Sequence, residues 1–328
     1  MDGRAIRHSL LLGAALTAFS LALHFLPVWE TMLNRGPETW DGKPLPHDFI
    51  AQCVEEHTSG TDYSFRRRPL TPWCVDALVV TGLSVKTSFI ALSFALFFVS
   101  GLLVHRVARF VGSSTQQALL AQALFHLSPT VLCAWFDPMY TFDEPIQYAA
   151  LLVAMLASLQ GRTMMSVVAL TVALIAHETS FFVFPVLLFC LRDTIKHWWP
   201  TIVLPTVLFF IFLAVYLPHA GIAQGSITDA VDRLGTLRFN FSTVDMAMES
   251  LCYLSMVMAL PVFLLVRYQR SMACTEDERR MLRAFWIALV LNTVAVLVAA
   301  KAREARSFAL PLIIVWPLIG KVVAHELK

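Results

Sequence analysis

Charge is scarce in this chain. Asp, Glu, Lys and Arg make up 15% of 328 residues, and the formal net charge is +2. There is no basic tail or basic run long enough to track a phosphate backbone, so no nucleic-acid partner is expected. The six cysteines lack zinc-type spacing, and no structural zinc site is expected. Low-complexity tracts and a convincing internal repeat are also missing. No polar stretch is large enough for a separate soluble domain, so residues 1–328 read as a single transmembrane domain. What the chain has instead is apolar surface. Hydrophobic residues reach 57%, with mean hydropathy +0.66, the profile of a polytopic membrane protein.

Arg4 and Arg7 precede an apolar run over residues 9–26, and no A-x-A-like cleavage site follows it. An uncleaved anchor is expected, with a signal peptide as the competing reading. Basic residues first place the N-terminus in the cytoplasm. Residues 27–75 are the longest polar stretch, and 76–84 read as a brief re-entrant or interfacial piece. Together, residues 27–87 form an outer, periplasmic loop region containing short helices. Cys53 and Cys74 lie in it, bridged or as two free thiols. Further spans are expected at 88–104, 115–136, 145–159, 163–175, 181–191, 199–217, 246–266, 284–300 and 307–320. Residues 218–245 form a second outer loop, 267–283 a charged cytoplasmic loop, and 321–328 return inside. The expected fold class is all-α, a polytopic bundle of about ten spans with both termini cytoplasmic. Several spans are short. About 13 helical residues cover about 20 Å of a hydrocarbon core of about 30 Å, so such helices stop partway, thin the bilayer or line a wet recess.

The stretch Ile175-Ala176-His177-Glu178-Thr179-Ser180 separates two short apolar runs. An ionisable pair at such a junction is costly without partners or water, which makes it a functional candidate. The other polar clusters fall at the outer ends of the remaining hairpins. They are Asp41, His47 and Asp48; Arg66, Arg67 and Arg68; Asp137, Tyr140, Asp143 and Glu144; and Lys301, Arg303, Glu304 and Arg306. Carboxylates act as general bases or hold a divalent cation through oxygen, and arginines hold phosphate with paired donors. Each cluster also has a plainer reading. Asp48 and Asp137 suit a solvated loop and a turn before proline. Asp143 and Glu144 precede Pro145, where acids cap a helix start. The three arginines suit a surface charge run, and Arg303 and Arg306 suit headgroup anchors.

The motifs His47-Asp48-Phe49, Arg68-Pro69-Leu70-Thr71-Pro72, Asp137-Pro138-Met139-Tyr140 and His177-Glu178-Thr179 occur in that order. A basic cluster before Phe308-Ala309-Leu310-Pro311 closes the chain. This layout resembles the GT-C class of integral membrane glycosyltransferases, in its bacterial form, over nearly the whole length. The resemblance implies a bacterial inner membrane location and a polyprenyl-phosphate-linked sugar as donor. It makes Asp48 the catalytic base or metal-site residue, with Asp41 as substitute, although the usual Asp-x-Asp or Glu-x-Asp is absent. It assigns second-loop carboxylate roles to Asp137 or Asp143, and carries Glu178 over as a catalytic-site acid, with His177 where many relatives have Arg. Any cation, Mg or Mn, would sit on Asp48 and Asp137. Lys301, Arg303 and Arg306 resemble carrier-phosphate ligands. His47, Arg68, Tyr140, Glu144 and His177 complete the expected substrate-binding set.

The function implied is inverting transfer, on the periplasmic side, to an envelope glycan, lipid or protein acceptor, with membrane lipids as surroundings. Two other classes compete. A transporter or flippase for a lipid-linked or small polar substrate would show flux without transfer. A non-catalytic membrane subunit would keep the fold and tolerate loss of every outer carboxylate.

Overall fold

The computed structural model describes residues 3–24, 39–40, 43–44, 54–55, 57–58, 66–128, 143–191, 199–220, 237–271, 274–299 and 308–327. Apart from one two-residue strand pair, Thr39–Trp40 against Lys43–Pro44, the regular structure there is helical. The helices are α1 (Gly3–His24), α2 (Leu70–Val79), α3 (Val85–Phe110), α4 (Thr115–Leu127), α5 (Glu144–Leu159) and α6 (Thr163–Ala176). They continue with α7 (Ser180–Leu191), α8 (Leu204–His219), α9 (Val244–Arg270), α10 (Glu276–Ala299) and α11 (Trp316–Glu326). A π-helical turn, Trp199–Val203, leads into α8, and a 3-10 turn, Leu310–Ile314, precedes α11.

Local chemistry explains where these helices start and stop. Ser84 caps α3 by accepting from the Thr87 N–H at 3.1 Å. Ser114 and Gln117 form a reciprocal capping box on α4. Gly112 and Gly161 close α3 and α5 at φ 90° and 72°, a backbone region that favours glycine. Thr275 and Glu278 exchange bonds in the same way at the start of α10, the Thr275 N–H reaching Glu278 Oε2 at 2.8 Å.

Two boundaries differ from the sequence reading for this reason. The expected charged loop over 267–283 is mostly helix. Arg267 and Arg270 lie in the last turn of α9, while Glu276, Asp277 and Glu278 open α10. Cations at a helix C-terminus and acids at an N-terminus complement the dipole, so charge here continues the helices. The outer loop 218–245 is likewise shortened, because α8 runs to His219 and residues 237–240 are helical. At the first outer region, the brief apolar piece sits earlier than 76–84, as α2 over Leu70–Val79. Cys74 in α2 is a free thiol, the unbridged of the two expected outcomes.

α5 is the centre. Side chains from Pro145 to Ser158 are buried almost all round. α6 packs along it, and α3 and α7 flank it. α4 is held between α1, α3 and α11. Close approach on α4 depends on Gly320, where an added Cβ would meet the Gln117 carbonyl oxygen at 2.0 Å. The outer helices show the opposite pattern. Phe210, Ile211 and Val215 on α8, and Leu260 and Phe263 on α9, are exposed. Large apolar side chains exposed along both helices suit contact with lipid or a partner better than with water. Among the described residues, five helices are long and apolar enough to cross a membrane, Gly3–Leu23, Val85–Phe110, Trp199–His219, Val244–Arg270 and Glu276–Val298. α2, α5, α6 and α7 are apolar but shorter. The 14 residues of α6 rise only about 21 Å at about 1.5 Å each.

Candidate functional site

Five helix ends meet at one side of the bundle. They are the starts of α2, α5 and α7 and the ends of α6 and α8. The three arginines before α2 tie them together. Arg66 donates from Nη2 to the Ala220 carbonyl just beyond α8. The last carbonyls of a helix have no intrahelical donors and carry its negative pole, so a guanidinium is well placed there. Trp73 of α2 stands edge-on to Phe212 and Tyr216 of α8, which holds the same two elements together by ring packing.

Arg67 and Arg68 turn the other way, onto Glu178 between α6 and α7. Arg68 holds both carboxylate oxygens, Nε to Oε2 at 3.0 Å and Nη2 to Oε1 at 2.7 Å. Arg67 Nη2 donates to Oε1 as well. The two arginine side chains are only 16% and 15% exposed. These residues are therefore an inward-facing clamp, and the surface-run reading does not apply to Arg67 and Arg68. Burial works to raise the Glu178 pKa. The charges of Arg68, His177 and Arg67, with the Arg68 hydrogen bonds, outweigh it and hold the carboxyl well below the usual carboxylate range. Burial likewise works to lower the Arg68 pKa, but Glu178, Asp143 and Glu144 hold it above its ordinary value.

Asp143 occupies the N-cap position of α5 yet makes no capping hydrogen bond. Its carboxylate turns inward. Oδ2 lies 3.6 Å from His57 Nε2 and 3.8 Å from Arg68 Nη1. Asp143 is 3% exposed, and Oδ1 is buried without a hydrogen-bond partner. The capping explanation thus fails for its side chain, because the charge of Arg68 competes with the helix end. Glu144, in the first turn, complements the dipole and lies within the field of Arg68.

The break between α6 and α7 is hydrogen-bonded throughout. His177 is extended, at φ −157° and ψ 120°. Its Nδ1 accepts from the Thr179 N–H at 3.3 Å and lies 2.9 Å from Thr179 Oγ1. Gln147, one turn into α5, donates to Thr179 Oγ1 and Ser180 Oγ, both at 2.9 Å. The Ser180 hydroxyl in turn reaches the carbonyls of His177 at 2.9 Å and Ala173 at 3.0 Å. Buried backbone groups freed by the break are satisfied in this way, which fixes Glu178 relative to α5.

Of the residues singled out from sequence, Arg68, Asp143, Glu144, His177 and Glu178 come together here. Asp41, His47, Asp48, Asp137, Tyr140, Lys301, Arg303 and Arg306 lie outside the described residues, and so do both residues proposed for a cation. Among the described residues no group of three or more His, Cys, Asp or Glu is placed to hold a metal. Arg68 beside Asp143 and Glu178 also disfavours a cation at those carboxylates. Sequence reasoning missed two members, Gln147 and His57. Gln147 was findable, since it lies four residues after Asp143 and so on one helix face with it. Arg67 was named in the arginine cluster, although only Arg68 entered the expected substrate-binding set. His57 sits in a stretch without periodicity, and nothing in the sequence signalled it.

In comparison with known proteins, no family model, no curated protein and no solved structure matches the chain.

Proposed function

We propose that this chain is a membrane glycosyltransferase that moves a sugar from a polyprenyl-phosphate-linked donor to an envelope glycan, lipid or protein acceptor. The setting is a bacterial inner membrane, with the chemistry on the periplasmic face and both termini in the cytoplasm. About ten crossings are included in the proposal, the shorter helices among them lining a thinned or wet region. The observation that carries it is the charge-balanced cluster of Arg67, Arg68, Asp143 and Glu178 at the converging ends of apolar helices. Buried charges at a membrane protein's helix breaks are retained at a cost, and they mark sites where polar ligands are handled.

In this reading Asp48 takes the acceptor hydroxyl proton as the oxygen attacks the anomeric carbon. The bond from that carbon to the phosphate oxygen breaks, and the configuration inverts. Arg303 and Arg306 receive the negative charge that leaves on the phosphate, with Lys301 beside them. Glu178 is too weakly basic to take that proton, since its neighbours hold it ionised. Its role is to position Arg67 and Arg68. His177 holds the turn that carries Glu178. A cation on Asp48 and Asp137 would supply charge stabilisation if bound.

The test is transfer of a labelled sugar from polyprenyl phosphate to endogenous membrane acceptors. Wild-type protein gives transfer, and Asp48→Asn reduces it by at least about 100-fold with expression unchanged. Wild-type turnover in that variant removes Asp48 from the reaction. The break at His177 and the π-helical turn before α8 also suit a transporter, whose sites lie on discontinuous helices. Substrate flux in proteoliposomes without transfer would select that alternative.

A further inference from the structure

We propose that Asp143 and Arg68, braced by Glu178, form a subsite for an uncharged, hydroxyl-bearing ring, and that any phosphate is bound elsewhere. The identity of that ring as the transferred sugar rests on the transferase reading. The physical argument starts from Asp143. It is 3% exposed, and its Oδ1 has no hydrogen-bond partner. A buried carboxylate oxygen without a donor is costly and rare, so the site is built to receive one.

Three kinds of ligand compete for that oxygen. A cation is opposed by the charge of Arg68, whose Nη1 lies 3.8 Å from the other Asp143 oxygen, and of Arg67 next to it in sequence. An anion is opposed by Asp143, Glu144 and Glu178. It also finds the arginine forks engaged, because Arg68 commits Nε and Nη2 to Glu178, and Arg67 commits Nη2. A neutral hydroxyl meets neither objection. Arg68 Nη1 stands beyond hydrogen-bond length from Asp143 Oδ2. It therefore offers a donor beside an unused acceptor. One hydroxyl seated there can donate to Oδ1 and accept from Nη1.

The consequence concerns Glu178. Its carboxylate keeps the clamp from acting as an anion site, so the same two arginines should bind phosphate once that charge is removed. The experiment uses the full chain purified in detergent, with thermal unfolding followed by tryptophan fluorescence. The probes are methyl glycosides of glucose, mannose, galactose and arabinose, and inorganic phosphate. At least one glycoside should raise the wild-type Tm saturably, and Asp143→Asn should weaken its apparent Kd at least about tenfold. Phosphate should give wild type no saturable shift that depends on Arg68. It should give one in Glu178→Gln, lost again when Arg68→Gln is added.

The proposal is overturned if no glycoside stabilises the wild type, or if Asp143→Asn binds as tightly. It is also overturned if wild type binds phosphate through Arg68. The phosphate arm leaves Asp143 intact, so it decides the question even if Asp143→Asn fails to fold. Glycoside binding without transfer would refute the transferase reading alone. Transfer without glycoside binding would refute this subsite alone.

Discussion

Replacing Glu178 by Gln keeps the shape of the side chain and removes its charge. In the native chain three hydrogen bonds from Arg67 and Arg68 end on this carboxylate. Charge-assisted bonds of this kind contribute about 1.5–3 kcal/mol each in isolation, and breaking a fully buried ion pair costs about 3–5 kcal/mol. Two features reduce the loss. The Glu178 side chain is 28% exposed, and the amide oxygen of Gln still accepts one bond. A loss of about 2–3 kcal/mol is the reasonable figure. At roughly 2.1 cal/mol/K per residue the unfolding entropy of a chain this long is near 0.7 kcal/mol/K, so Tm should fall by about 3–4 °C.

The same clamp carries a pH dependence. The folded-state pKa of Glu178 is depressed. Its contribution is therefore complete above the unfolded value, about 4.3, and is lost as pH falls through the lower folded value. The Tm gap between wild type and Glu178→Gln should be full at pH 6–7 and shrink only below about pH 4. Differential scanning fluorimetry in detergent across that range measures it. A gap under about 1 °C at pH 7, or one that grows on acidification, refutes the clamp.

Other substitutions probe the frame that holds the site. Gly320→Ala should fail to accumulate as folded protein, because the new Cβ meets the backbone of α4 at the Gln117 carbonyl oxygen, 2.0 Å away. Gly3→Ala, with nothing within 4 Å, is the neutral control for the same expression and gel-filtration assay. Gln147→Leu should cost about 1–3 kcal/mol, read as lowered Tm, since Thr179 and Ser180 lose their donor from α5. At the turn between α9 and α10, Glu278 is fully buried against Lys321, the Tyr268 hydroxyl and the Thr275 N–H. Glu278→Ala should destabilise by about 3–5 kcal/mol, and adding Lys321→Met should restore part of that Tm loss.

Hydrophobic periodicity made the helices legible, and the apolar runs from 145–159, 163–175 and 181–191 correspond closely to α5, α6 and α7. It could not locate ends where charged residues continue a helix, as Glu276 and Asp277 do at the start of α10. Charge is read by composition as loop, whereas a helix terminus welcomes it. The site was half legible. Glu178 and His177 stood out because an ionisable pair interrupts apolar sequence, and Asp143 stood out as an acid before Pro145. The pairing did not, because Arg67 and His57 lie far along the chain from Glu178 and Asp143 and no local pattern links them.

Sequence alone determined that this is a helical chain with segments long and apolar enough to cross a membrane, as its high apolar content and scarce charge require. It also determined that an ionisable group set between apolar runs, as Glu178 is, needs a partner or water. Which pairs form was decided by tertiary structure. The carboxylate of Asp143 abandons its helix cap for Arg68, and Glu178 takes two arginines from more than a hundred residues away. Coulombic attraction in a buried setting depends on distance in space, and the fold sets that distance by bringing the start of α2 against the break between α6 and α7.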